Sequence, residues 1–304
     1  MVVNSGNSVY VIIPVHNRKL ITLRCMENLR ETKVLSWAKV VVVDDGSTDG
    51  TAEAILQKFP DATILRGDGN LWWTGAIVKG MKFALEQGAK YIFWLNDDCI
   101  PSAGTMHHLF EYSHLMNCIS VAISRTRGGA AYGGVVKNPW GLKLVNIEGK
   151  SVVWCDTMQG NCVCLPVEIV NQIGLPNALD CPHARGDSEY GLRSSAAGWK
   201  IALLPDAECW NEDNLKEEQR SWLLSNIRLK AIWGSFFYKG GYLYYRSEWH
   251  VLLKYWGWRG VLMFFYQYLK AAGIILIRIL IPYRVRLALF GGRSRIFQIE
   301  SKLS

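Results

Sequence analysis

Asn96, Asp97 and Asp98 end the stretch YIFWLNDDC (residues 91–99), directly after an apolar and aromatic run. A hard divalent cation prefers oxygen ligands and often bridges one or two carboxylates to substrate phosphates. Alternation along a strand puts Asn96 and Asp98 on one side and Asp97 on the other. Asp98 is therefore the expected ligand, with Asn96 next; the competing reading is a cap for the helix opening at Pro101 and Ser102. A second acidic pair, Asp44 and Asp45, closes VVVVDD ahead of Gly46, which allows a tight turn. Ser47, Thr48 and Asp49 can cap the helix that follows. Capping accounts for Asp49 but not for two carboxylates before the glycine. A carboxylate at a strand end can accept a hydrogen bond from a base N–H, such as N3–H of uracil or thymine. The third acidic cluster is GDSEYGLR (residues 186–193). Positions 187 and 189 lie about 200° apart around a helix, so only one can face a given site. Glu189 and Arg193 are spaced to pair on one face. That leaves Asp187 at the helix start, where the dipole favours the ionised form and suits it to deprotonate an attacking sugar hydroxyl. A plain N-cap is the alternative.

These acids need elements that bring them together. From residue 8 to about 118, short apolar runs (VYVIIPV, AKVVVVDD, ATIL, AKYIFWLN) alternate with helical periodicity over 19–30, about 50–58, about 74–87 and from about 103. Near-continuous apolar strands separated by helices predict a parallel sheet covered on both faces. Ligands of such sheets sit at the carboxyl ends of the strands. Four polar segments fall there: 14–18, 44–49, 67–70 and 96–98. Beyond residue 120, AAYGGVV, SVVWCDT and NCVCLP predict antiparallel or mixed strands. Helices are expected over 167–173, about 187–198 and 217–238, with a strand at KIALLP (200–205).

The chain has 304 residues, 50% hydrophobic and 20% charged, enough for one sizeable core plus an appendage and unlike a disordered chain. Its net charge of +8 is uneven: residues 214–304 hold 15 Lys and Arg against 4 Asp and Glu, leaving 19 against 22 elsewhere. The eight cysteines show no zinc-like spacing and read as small core residues of a reducing compartment. The N-terminal sequence lacks the pattern of a signal peptide.

The segments IPVHNR, VVVDDGSTDGT, GDGNLWWTGA, LNDD and GDSEYGLR occur in the order seen in family 2 glycosyltransferases, and the chain resembles that family from about residue 10 to 210. The resemblance implies an α/β chain with the GT-A nucleotide-diphospho-sugar transferase fold: a mostly parallel central sheet flanked by helices. Its catalytic domain would occupy 1–240, with a nucleotide-binding half (8–118) and an acceptor-binding half (119–240). Pro14, His16, Asn17, Asp44, Asp45, Gly69, Asn70, Trp73 and Asp97 would hold the nucleotide-sugar. Asp98 and Asn96 would bind Mg²⁺ or Mn²⁺, the N-x-D form resembling rhamnosyltransferase-like members. Asp187 would be the catalytic base of an inverting transfer, with Gly160, Asn161 and Glu189 on the acceptor side. The implied donor is a nucleotide-diphospho-sugar such as dTDP-rhamnose or a UDP-sugar. The implied acceptor is a glycan or lipid-linked molecule of cell-surface polysaccharide synthesis. Two departures stand out: Asn96 replaces the usual Asp, and Trp210–Asn211 stand where many members carry a His. Trp72 and Trp73 could stack on a sugar or belong to the core.

Two other functions share the pattern. A sugar-nucleotide nucleotidyltransferase would call for a glycine-rich basic loop after the first strand, and PVHNRKL has no glycine. A non-catalytic, membrane-bound nucleotide-sugar-binding protein would keep the fold alone. Residues 241–304 form a basic, aromatic tail. Within it, 260–281 is nearly long enough to span a bilayer, but Arg259, Gln267, Lys270 and Arg278 fall in one arc of about 100°. This stripe and Trp249, Trp256 and Trp258 favour a helix lying in the membrane interface, with Arg284, Arg286, Arg293 and Arg295 drawn to anionic lipid. Packing on protein is the alternative. Nucleic acid is not expected as a partner, since no recognition motif accompanies the charge. The expected location is the cytoplasmic face of the cell membrane, as a peripheral or monotopic protein.

Overall fold

The computed structural model describes residues 9–126, 131–211, 223 and 228–290. The chain divides into two compact units, Met1–Asp213 and Asn214–Ser304. In the first, the chain runs β1 (Val9–Val15), α1 (Lys19–Glu31), β2 (Lys39–Asp44), α2 (Thr51–Lys58), β3 (Thr63–Arg66), α3 (Trp72–Glu86) and β4 (Tyr91–Leu95). The four strands are parallel, in the order β3-β2-β1-β4. Period-two alternation sets the layers. Val11, Ile13 and Val15 join Met26 and Leu29 of α1 on one face. Tyr10 and Ile12 meet Ile77 and Met81 of α3 on the other. Both sides of β1 are thus covered, which is why its sequence is apolar throughout.

The second half continues this sheet with mixed polarity. β5 (Cys99–Pro101), α4 (Thr105–Met116), β6 (Ile119–Arg125), β7 (Ala131–Tyr132), β8 (Gly134–Asn138), β9 (Gly141–Leu144), β10 (Val153–Cys155), β11 (Thr157–Met158), β12 (Cys162–Pro166), α5 (Val167–Ile173), α6 (Gly186–Ala196) and β13 (Ile201–Asn211) follow. β12 inserts antiparallel between β4 and β6, and β13 lies parallel to β6. β8, β9 and β11 form a separate small sheet. The strand expected to stop at Pro205 continues to Asn211. A register shift between Leu204 and Glu208 absorbs the proline, and the extension pairs Asn211 with Cys99, beside the acidic motif. All eight cysteines are free, seven of them buried.

The second unit holds α7 (Leu229–Phe237), α8 (Tyr245–Trp256) and α9 (Trp258–Leu280). The helix expected over 217–238 is described only from Leu229, and Arg293 and Arg295 lie outside the described residues. α8 turns into α9 at Gly257, whose φ of +56° suits a residue without a side chain. Ile232, Phe236 and Ala271 form its small core.

Candidate active site

The four polar segments meet at the carboxyl edge of the parallel strands, sewn together by hydrogen bonds. After β1, half-buried Pro14 leads into exposed His16 and Asn17. His16 Nδ1 lies 2.6 Å from the Asp45 carbonyl oxygen. Asn17, with φ +52°, donates its N–H to Ser47 Oγ and accepts from the Thr48 N–H, each at 2.8 Å. Asp45, nearly buried, accepts the N–H of Gly69 on Oδ1 at 2.8 Å and of Trp72 on Oδ2 at 3.0 Å. Asp44 Oδ1 accepts the Ser47 N–H at 2.9 Å. Both carboxylates expected to meet a base N–H therefore bond to the chain's own backbone. They shape a loop whose exposed polar groups are Asp68 and Asn70. A Cβ on Gly46 would sit 2.9 Å from the Gly69 nitrogen, so this crossing needs glycine.

β4 ends at Leu95, so strand alternation does not carry into the acids. Asp97 and Asp98 lie in a turn and meet the same guanidinium, that of Arg18, while Asn96, expected on the side of Asp98, bonds elsewhere. Asp97 is 1% exposed. Its Oδ1 faces Arg18 Nη1 at 3.0 Å and its Oδ2 accepts from Thr22 Oγ1 at 2.9 Å. Burial pushes its carboxyl up to about 6 despite the opposing pull of Arg18. Asp98 is half-buried and meets the same guanidinium through Nη2 at 2.8 Å. Arg18 thus bridges both carboxylates. Arg18 closes the polar segment 14–18, but its pairing with acids some 80 residues away is not legible in the sequence.

Asn96 and Trp73 belong to a different arm. Trp73 Nε1 donates to Asn96 Oδ1 at 2.7 Å, and Asn96 Nδ2 donates to Asn161 Oδ1 at 2.9 Å. Trp73 also stands edge-on to Trp94, with ring centroids 5.6 Å apart. Beside it, the Gly160 N–H donates to Asp187 Oδ2 at 2.9 Å, and Asp187 Oδ1 accepts the Ser188 N–H at 2.6 Å. α3 and α6 start in contact: the Thr74 N–H reaches the Pro182 carbonyl at 3.0 Å, and a Cβ on Gly186 would lie 2.0 Å from Thr74 Oγ1. Trp72 and Arg185, at the two helix starts, both hold positive φ, a strained state that tends to cluster at functional sites.

Glu189 is not part of this cluster. Its side chain is fully buried and pairs with Arg193 at 3.3 Å. Arg193 also donates to the carbonyls of Ile173 and Leu175. The acceptor contact expected of Glu189 is therefore replaced by an internal ion pair that anchors α6. Asn211, by contrast, lands beside the site. Its Nδ2 donates to Tyr132 Oη at 3.0 Å, while its Oδ1 is buried without a hydrogen-bond partner.

Among the described residues no cluster of three His, Cys, Asp or Glu side chains could hold a metal. Asp98 Oδ2 is held by Arg18, which leaves its Oδ1, and Asn211, paired with Cys99 on the adjacent strand, adds an Oδ1 without a hydrogen-bond partner. That set fits an ion bound chiefly by substrate phosphates, the usual habit of Mg²⁺, and does not make a protein cage. Asp187, on the neighbouring arm, is a carboxylate fixed by two backbone donors at a helix start.

Residues 10–143 match the model of a family described as glycosyl transferase family 2. Among solved structures, the chain is similar to a crystal structure of GalNAc-T7 with UDP, GalNAc and Mn²⁺. The TM-score is 0.57 at 16% identity, covering 67% of this chain and 44% of that one. It is also similar to the mannosyltransferase PcManGT from Pyrobaculum calidifontis in complex with GDP-Man and Mn²⁺. Here the TM-score is 0.54 at 15% identity, over 95% of this chain and 79% of that one. At such identities the likeness establishes the GT-A fold. The chain spans less than half the length of the first of these. No curated protein matches it.

Proposed function

We propose that this chain, whose residues 10–143 match the glycosyl transferase family 2 model, transfers a sugar from a nucleotide diphosphate to an acceptor hydroxyl with inversion. The observation that carries this reading is the contact between the two arms. Asp187 bonds to Gly160, which abuts Trp73, which bonds to Asn96, two residues before Asp98. A proton acceptor and a phosphate-side acid thus share one edge of the sheet.

In the reaction, the acceptor hydroxyl gives its proton to Asp187 as its oxygen bonds to the anomeric carbon. The bond from that carbon to the diphosphate breaks on the opposite face, and the nucleoside diphosphate leaves with the electron pair. One carboxylate placed for deprotonation suits a single displacement, hence inversion. Asp98, with Asn211 on the strand paired at Cys99, would hold Mg²⁺ or Mn²⁺, which supplies positive charge for the departing diphosphate. Asn96 has its carbonyl and amide engaged by Trp73 and Asn161, so we assign it to positioning Trp73 rather than to the metal. The exposed Asp68–Asn70 edge and His16–Asn17 are the donor-side surface. Trp73 is suited to lie against a sugar ring, because its indole N–H is already satisfied by Asn96.

The donor belongs to the nucleotide-diphospho-sugar class, with dTDP-rhamnose and UDP-sugars to be tried first. The acceptor is a glycan or lipid-linked molecule in cell-surface polysaccharide synthesis. Thermal melting against a panel of UDP-, dTDP- and GDP-sugars with Mn²⁺ tests this, because a ligand bound only to the folded state raises the midpoint. At least one sugar nucleotide is expected to do so, and a panel without effect overturns the reading.

A further inference from the structure

The second unit reverses the usual polarity of a helix packed in water. Leu262, Phe265, Leu269, Leu276 and Leu280 of α9 fall within an arc of about 60° on the helical wheel, and each is more than half exposed. The face turned to α8 packs Phe264 against Trp249, with ring centroids 5.1 Å apart, and also encloses a polar pair: Gln267 Nε2 donates to Oε2 of the fully buried Glu248 at 2.9 Å. Gln267, one of the four residues of the polar stripe, is thus spent inside the helix pair. A helix on a soluble protein shows its polar face outward; lipid reverses that demand, requiring polar groups paired within and apolar side chains outside.

We propose that α9 lies in the plane of a membrane containing anionic lipid, with the Leu262–Leu280 arc in the acyl boundary. Its 23 residues extend about 34 Å, enough to cross a bilayer, so orientation is decided by charge. Lys270 is exposed and stands midway along the helix. Spanning would carry it to the bilayer centre at about 3 kcal/mol on insertion scales. Lying flat puts the exposed Arg259 and Lys270, on the border of the apolar arc, within reach of the headgroups through their long stems. The same charges decide between lipid and a second copy. Residues 214–304 hold 15 basic against 4 acidic side chains, so two copies repel while anionic lipid attracts. This surface is independent of the transfer reaction, and its test needs no donor.

The test is flotation of the full chain with phosphatidylcholine vesicles, with and without phosphatidylglycerol. Three exposed cations, Arg259, Lys270 and Arg284, imply binding to the anionic vesicles on the order of a hundredfold tighter. Leu269→Glu with Leu276→Glu removes that binding at an unchanged melting temperature, and alkaline carbonate strips the wild-type chain from the vesicles. Failure of the folded chain to float with anionic vesicles overturns the proposal. Retention after carbonate overturns it in favour of a spanning helix. Self-association that the double variant abolishes, in a chain that ignores vesicles, overturns it in favour of a second copy.

Discussion

Gly160 and Asp187 are joined by a 2.9 Å hydrogen bond from the glycine amide to the carboxylate, and no side chain separates them. A Cβ at position 160 would lie 2.7 Å from the Trp73 ring and 3.2 Å from Asp187 Cβ. Gly160→Ala must therefore displace the indole, the carboxylate or both. Misplacement by about 1 Å can cost on the order of a hundredfold in rate. Steady-state kinetics are expected to show that loss in kcat, with the chain still folded by circular dichroism. An alanine variant of wild-type kcat would mean that the glycine only fills space.

Arg18 joins the two strand-end acids, and the acid it serves most is the buried one. Arg18→Met leaves Asp97 with Thr22 as its remaining side-chain donor, and breaking a buried pair costs about 3 kcal/mol. Urea unfolding at neutral pH measures this. The sign of its pH dependence follows from Asp97. Its folded value of about 6 exceeds the unfolded value of about 4, so the folded state holds the proton more tightly. Asp97 therefore contributes less stability as pH rises through that window, and the penalty of the variant shrinks below pH 6. A penalty independent of pH would assign Arg18 to Asp98 instead.

Trp73 and Asn96 are coupled through one hydrogen bond of 2.7 Å. Trp73→Phe and Asn96→Ala are each expected to raise the donor KM. Their double-mutant cycle should return a coupling of about 1 kcal/mol. Additive effects would show that the bond does not position the ring.

Asp98 is the assigned metal residue. Asp98→Asn is expected to raise, by tenfold or more, the Mn²⁺ concentration at which a donor stabilises the fold; isothermal titration checks this directly. Chelation should abolish transfer by the wild type, and undiminished activity in chelator would remove the ion from the reaction.

Much of this site is legible in sequence because strands β1 to β4 are apolar on both faces and end in turn-forming polar residues. That pattern alone predicts a parallel sheet whose carboxyl edge gathers these polar segments, as the structure shows. That Asp187 and not Glu189 is left for the site follows from helix geometry, since Glu189 is spaced to pair with Arg193, as it does. What stayed hidden is long-range. Asp45 reads as a ligand-facing acid until its partners at 69 and 72 are known. Asn211 gains its place from the pairing of β5 with a strand that runs through Pro205. The Gln267–Glu248 contact depends on how two helices dock, which the periodicity of α9 alone does not specify.

The account's central claim is that Asp187 takes the proton of the attacking hydroxyl, and single-turnover transfer by Asp187→Asn tests it most directly. Asparagine keeps the oxygen that accepts the Gly160 N–H, so donor affinity is expected to hold. General-base catalysis is worth about 10²–10⁴ in rate, and the transfer step should slow by that much. Transfer at the wild-type rate with donor bound would contradict the claim.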